Sequence, residues 1–421
     1  MIWIDVSPLL GYAALSNRLS GIQRLESELY SALVSLTEVR FIALRPEGAR
    51  EIPWQELQAL TRHLRGEGVR EEQRPSFLRR VARKLPSPLK QRIASLMRRA
   101  QFLAGPPISG GDVVLILGAP WVRSDFHIPF DEYRRRGIKV AVLYYDLIPI
   151  YRPEWCGTTS LAAHKRWLDE SLRNSDFIFT ISRSTASDAK RYAQGQKLKL
   201  RSEPIPIPLG TGFSPGSSGI SRELPKPNTY ALAVSTIEIR KNHELLFRVW
   251  RRLLEELPEG QVPTLVFAGR LGWLVNDLME QIKATDFLNG KLVHLDDPTD
   301  ADLKALYEGC LFTLFPSFYE GWGLPVTESL AFGKPCIASN RSSIPEAGGK
   351  LARYIDPDNF TDAYRVIKDT ILDRHGLARW SAEIHDTFRP VSWRDSAAAI
   401  LAALDETNRQ VHLTRRSTAI G

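Results

Sequence analysis

Leu311-Phe-Thr-Leu-Phe315-Pro-Ser-Phe-Tyr-Glu320-Gly-Trp-Gly-Leu-Pro325-Val-Thr-Glu328-Ser-Leu-Ala-Phe-Gly333-Lys-Pro-Cys336-Ile-Ala-Ser339 decides the fold. It opens on a short run apolar at successive positions and closes on another. Between them lie a loop with two glycines and a stretch that reads as a helix from Pro325, a residue suited to a first helical turn. A strand that is apolar at every position is buried on both faces, which is the mark of a parallel sheet covered by helices.

The same alternation runs outward in both directions. In the first half the runs are Ile2–Val6, Val39–Leu44, Val113–Leu117, Val140–Tyr145 and Phe177–Ile181. In the second half they are Tyr230–Ser235, Leu265–Ala268, Leu292–Leu295, Leu311–Phe315 and Cys336–Ser339. Between the halves, Ser214 to Thr229 carries Pro215, Gly216, Gly219, Pro225 and Pro227, the composition of a linker. The pattern predicts two doubly wound α/β domains, residues 1–221 and 222–395, with ligands in a central cleft at the carboxyl ends of the strands.

The 421 residues are 43% hydrophobic, enough for a packed core in each domain and too many for a disordered chain. Cys156, Cys310 and Cys336 are far apart and lack zinc spacing, which fits a reducing compartment. Met1 to Leu19 has no basic start and places Asp5 where a secretory signal would be apolar. No apolar run approaches the roughly 18 residues of a membrane span. The expectation is a soluble, cytoplasmic protein that can still touch a membrane surface.

Two loops carry the chemistry. After the strand ending near Phe315, Gly321 and Gly323 let backbone approach a ligand, and the following helix start offers free N–H groups to an anion. Glu320 and Glu328 are placed to grip vicinal hydroxyls of a sugar and a ribose. Glu328 can equally complement the helix dipole, and Glu320 can cap. After Tyr230–Ser235 comes Thr-Ile-Glu-Ile-Arg240-Lys241-Asn242-His243. There Asn242 is expected to cap a helix bearing Leu245, Leu246, Val249 and Leu253. Arg240 and Lys241 then flank a helix N-terminus, which makes either a diphosphate cradle or a charged surface loop.

Taken together, these stretches resemble the E-x(7)-E signature of family-4 retaining glycosyltransferases, which have the GT-B fold of two Rossmann-like domains. The likeness extends through Ser339-Asn-Arg-Ser-Ser-Ile-Pro345-Glu346, Asp356-Pro357 and Gly269-Arg270-Leu-Gly272-Trp273, and in the first half through Ser182-Arg-Ser-Thr185 and Leu209-Gly210. The resemblance implies an acceptor-binding first domain and a second domain that binds a nucleotide sugar. It implies that Glu320 contacts the donor sugar and Glu328 the ribose. Lys241 and Arg240 would hold the diphosphate, the backbone at Gly321, Gly323 and Leu324 would approach sugar and phosphates, and His294, Leu295, Gly269 and Arg270 would line the rest of the donor site. Ser20-Gly21 is similar to the family's glycine-rich loop, with serine in place of the first glycine. It further implies that a final helix, about residues 396–412, crosses back onto the first domain.

The chain departs from the family at two places. Ser235 stands where many members have an arginine, so phosphate binding is expected to lean on Lys241 and Arg240. Tyr145 stands where many have a histidine, leaving Asp146 as the polar candidate at that strand end, or as a cap for Leu147-Ile-Pro149. The family is described as retaining configuration by front-face attack, in which the protein stabilises charge on the leaving diphosphate. Neither metal nor other cofactor is expected. Asp356-Pro357-Asp358 reads as a turn and not as a metal-binding pair, and His63, His127 and His164 lack ligand-spaced partners.

The net charge of +8 is concentrated. From Gln73 through Gly111 there is no acidic residue, while Arg79, Arg80, Arg83, Lys84, Lys90, Arg92, Arg98 and Arg99 fall among apolar residues at helical spacing. The window reads as a solvated face, as an attachment to anionic lipid head groups, or as a phosphate-binding surface for nucleic acid. No nucleic-acid module accompanies it. The resulting expectation is a hexosyltransferase, with mannose from GDP-mannose suggested by the Arg-Lys-Asn-His form of the second motif. Its acceptor would be lipid-linked or a growing polysaccharide of O-antigen, capsule or exopolysaccharide. Rhamnosyl or glucosyl transfer, a phosphorylase of related fold, and a non-catalytic basic adaptor for nucleic acid are the alternatives.

Overall fold

Each apolar run read from the sequence is a strand. The computed structural model describes residues 1–14, 16, 19–45, 48–65, 108–122, 128–156, 161–213 and 219–418. The basic segment that holds Arg79, Arg80, Arg83, Lys84, Lys90, Arg92, Arg98 and Arg99 lies outside the described residues, as does His127.

The first unit is built on a sheet of β1 (Ile2–Asp5), β2 (Val39–Arg45), β3 (Gly48–Ile52), β4 (Val113–Ile116), β5 (Lys139–Tyr144), β6 (Phe177–Thr180) and β7 (Pro204–Pro206). Their order is β3-β2-β1-β4-β5-β6-β7, parallel except where β3 pairs antiparallel with β2. Trp3, Val114, Val142 and Ile178 fill the core with Leu168 and Ala189 from the covering helices Leu161–Asn174 and Arg183–Gly195. The C-terminal helix Trp393–Thr418 packs on the helix Gly21–Leu36 of this unit. Its entry is fitted to Gly210, where a Cβ would lie 2.5 Å from the Trp393 ring.

The second unit holds β8 (Tyr230–Val234), β9 (Thr264–Ala268), β10 (Leu292–Leu295), β11 (Phe312–Phe315), β12 (Cys336–Ser339) and β13 (Arg353–Ile355). All neighbours are parallel, in the order β10-β9-β8-β11-β12-β13. Leu246, Trp250, Phe267, Phe312 and Ile337 are central to its core. Trp250 is buried whole because its indole N–H donates to the Pro263 carbonyl at 2.8 Å. The division between units falls at Gly210–Thr211 and Val391–Ser392, with Ser182–Ser184 grouped in the second. The first crossing thus precedes the Pro- and Gly-rich stretch, and the two crossings are tied by a hydrogen bond from the Thr211 N–H to the Val391 carbonyl at 2.9 Å. No helix among the described residues is long and apolar enough to cross a membrane.

Leu232, on β8 and fully buried, measures how far the second sheet depends on its centre. Leu232→Ala is expected to cost about 2–5 kcal/mol, read as a lower urea midpoint for unfolding of this unit.

Candidate active site

In the second sheet the strand order reverses between β8 and β11, so the crevice of this doubly wound unit opens at the carboxyl ends of those two strands. The loops that leave them are the two motif loops of the sequence, and they are bonded to each other. Phe318 N–H donates to the Arg240 carbonyl at 2.9 Å, and the Arg240 guanidinium donates to the Tyr319 carbonyl at 2.7 Å.

Glu320 joins the loops by charge. One carboxylate oxygen accepts from Lys241 Nζ at 2.6 Å and from Ser317 Oγ at 2.5 Å; the other pairs with Arg240 Nη1 at 2.7 Å. Arg240 Nη2 pairs in turn with Glu238 at 2.6 Å. Ser342 and Ser343 hold the backbone, Ser342 Oγ accepting from the Glu320 N–H and Ser343 Oγ donating to the Glu320 and Trp322 carbonyls, each at 2.8 Å. Burial alone would raise the Glu320 carboxyl. The charges of Arg240 and Lys241, with the bonds from Lys241 and Ser317, outweigh it and bring the pKa down to about 2. Lys241 is shifted below the usual lysine value by burial and by Arg240, against the pull of Glu320 and Glu238.

Glu328 lies on the helix Leu324–Ala331, which starts one residue before Pro325 and is entered through Gly323 at φ 120°, a conformation that favours glycine. Glu328 is buried and accepts from the Tyr307 hydroxyl at 2.9 Å; the Tyr307 ring is stacked on Phe332. Asn242 does not cap with its side chain. Its backbone is left-handed (φ 58°), and its amide donates to the Pro316 and Pro357 carbonyls at 3.3 and 3.0 Å, so it pins the motif loops together.

Beside β8, Gly269, His294 and Leu295 converge. His294 Nε2 is 2.8 Å from the Gly269 carbonyl, and the Gly269 N–H donates to the Leu295 carbonyl at 3.0 Å. Only glycine fits at 269, where a Cβ would lie 2.0 Å from the Ser235 carbonyl oxygen. Arg270 faces Asp297 at 3.8 Å. Asp356-Pro357-Asp358 is a turn: the Asp358 N–H donates to Asp356 at 3.1 Å, and Arg341 pairs with both carboxylates at 2.7 and 3.0 Å.

Gly21, Tyr145 and Asp146, singled out from sequence, belong to the first unit. Gly21 opens the helix Gly21–Leu36. Asp146 accepts from the Ile148 N–H at 3.0 Å and so stabilises the start of the turn Ile148–Tyr151. Tyr145 is buried and donates its hydroxyl to the Leu117 carbonyl. Sequence reading missed Glu238, Ser317, Ser342, Ser343 and Tyr307. Their partners lie on other loops or helices, or are short-range pairs that spacing does not single out; Glu238, two residues before Arg240, was within reach of a charge-pairing argument.

Residues 220–384 match the family model described as glycosyl transferases group 1. The O-antigen chain mannosyltransferase B of Escherichia coli is 27% identical over 65% of this chain and 68% of its own length. The serotype-specific mannosyltransferase WbdA of the same species is 24% identical over 65% of this chain but only 34% of its own, so this chain spans about a third of that relative. Sucrose-phosphate synthase from Thermosynechococcus elongatus superposes with a TM-score of 0.55 over 99% of both chains at 17% identity. Anabaena HepE, solved with UDP, does so with 0.53 over 99% of both at 14%. The fold is the GT-B fold. The chain carries a group 1 glycosyl transferase domain over residues 220–384 and is a glycosyltransferase.

The depressed Glu320 pKa ties stability to pH. A carboxyl lowered from 4.5 to about 2 on folding adds stability that is fully present above about pH 4.5 and is lost as pH falls toward 2, on the order of 3 kcal/mol. Thermal unfolding midpoints measured from pH 7 to pH 3 are expected to fall less steeply for Glu320→Gln than for the wild type. The variant starts lower at pH 7, because Arg240 and Lys241 lose their counter-charge.

Proposed function

We propose that the protein transfers a mannosyl residue from GDP-mannose, with retention of configuration, to a saccharide acceptor in the assembly of O-antigen or a related surface polysaccharide. The observation that carries this reading is the Glu320–Lys241–Arg240 network at the β8–β11 switch point, where a nucleotide sugar would lie at the carboxyl ends of the strands. The likeness to O-antigen and serotype-specific mannosyltransferases of Escherichia coli supports the choice of mannose.

In this reading the bond from the anomeric carbon to the β-phosphate oxygen breaks as the acceptor hydroxyl attacks the same face. The acceptor oxygen takes that carbon, its proton passes to the leaving phosphate oxygen, and GDP departs. Lys241, Arg240 and the amino end of the helix Leu324–Ala331 stabilise charge growing on the diphosphate. Glu320 contacts the sugar hydroxyls and holds the two cations in register, and Glu328 holds the ribose. No metal takes part. The acceptor is carried on a membrane lipid, and the basic segment with Arg79 to Arg99 brings the first unit to the inner leaflet.

Incubation with GDP-mannose, UDP-glucose and dTDP-rhamnose, each with a saccharide acceptor and a chelator, is expected to release nucleoside diphosphate from GDP-mannose alone. Release from another donor would reassign the sugar, and a need for added divalent metal would overturn the metal-free reaction. Glu320→Gln is expected to slow transfer about a hundredfold, and undiminished transfer would remove Glu320 from the mechanism. Sedimentation with vesicles is expected to retain the protein only when anionic lipid is present. Equal binding to neutral vesicles, or none to either, would end the membrane proposal.

A further inference from the structure

The charges at the switch point are already matched. Arg240 and Lys241 face Glu238 and Glu320, two cations against two carboxylates within one buried network. Those cations already hold carboxylates, so a neutral donor beside them adds to what a diphosphate can engage.

Ser235 meets that need by position. It is the first residue beyond β8, at the switch point, and its side chain is half-buried. Its backbone is fixed, with the N–H donating to the Ala268 carbonyl at 3.2 Å and the carbonyl oxygen lying against Gly269. Its Oγ is 3.3 Å from Nε2 of His243, the first residue of the helix His243–Glu256.

His243 is buried, its ring edge-on to Phe267 with centroids 4.7 Å apart. Burial, then the charges of Lys241 and His294, push its pKa down to about 3, so the ring is neutral and carries one proton. Nδ1 is buried with no hydrogen-bond partner. A proton on Nδ1 would create an orphaned buried donor, which is rarer and costlier than a bare acceptor. The proton therefore sits on Nε2 and is donated to Ser235 Oγ. That oxygen is then occupied as an acceptor, and the serine's own hydrogen is left to donate.

We infer that the Ser235 hydroxyl donates a hydrogen bond to the diphosphate of the nucleotide sugar, and that His243 positions it without touching the ligand. The inference rests on the nucleotide-sugar reading above and deepens it. A neutral hydroxyl, oriented from behind by an imidazole, adds a donor beside the two cations of the ion network.

Calorimetric titration of the full chain with GDP tests this. Ser235→Ala and His243→Phe are each expected to weaken binding about tenfold, and the double variant is expected to be no weaker than Ser235→Ala alone. Ser235→Thr, which keeps the hydroxyl, and His243→Gln, which keeps a side-chain N–H, are expected to stay within about twofold of wild type. Unaltered affinity in Ser235→Ala, or losses that simply add in the double variant, would overturn the inference. Should His243→Phe fail to fold, the contrast of Ser235→Ala with Ser235→Thr decides alone. If the wild type binds no nucleoside diphosphate, the donor-site reading fails and this inference with it. If the wild type binds and Ser235→Ala binds equally well, only this inference fails.

Discussion

The Glu320 carboxylate between Arg240 and Lys241 is the contact on which the site depends. It joins the loop after β8 to the loop after β11, and those loops flank the place where the strand order reverses. Removing three charges from water costs several kcal/mol per ion, and Coulomb attraction offsets that only when the remaining lone pairs and protons also find partners. For Glu320 and Arg240 they do here: Ser317 donates to Glu320, while Tyr319 and Glu238 accept from Arg240. The triad is therefore better understood as a device that fixes loop geometry than as a source of net stability.

The rest of the second unit supports that fixture. Asn242 takes a left-handed turn and reaches two carbonyls, one following β11 and one following β13. Ser342 and Ser343 bind the Glu320 backbone from the loop after β12. Gly269 lets the end of β9 lie against Ser235. Loops from β8, β9, β11, β12 and β13 thus converge on one place. A site of this kind is preorganised, which is what stabilising charge on a leaving diphosphate requires.

Much of this was legible in the sequence. Buried parallel strands are apolar on both faces, and their runs stand out; β3, β7 and β13 did not, because edge strands are short, polar or proline-bearing. Gly48–Ile52 carries Arg50 and Glu51, and Pro204-Ile-Pro206 lacks two of its ladder donors. The residues of the two motif loops were singled out because such loops concentrate glycine, carboxylate and cation in a few positions. Their pairing was not: that Glu320 binds Lys241 and Arg240, or that Asn242 pins loops in place of capping, depends on contacts about eighty to more than a hundred residues apart along the chain. In the sequence His243 stood out only as the last residue of the Arg-Lys-Asn-His form of the second motif. Its importance came from burial and an unpartnered ring nitrogen, neither of which spacing reveals.

A crystal structure of the protein with GDP would locate the diphosphate against these loops. The diphosphate is expected at the carboxyl ends of β8 and β11, within hydrogen-bond reach of Lys241 Nζ and Ser235 Oγ, with the ribose against Glu328. GDP bound to the first unit, or elsewhere on the second with the Glu320 network untouched, would contradict that placement.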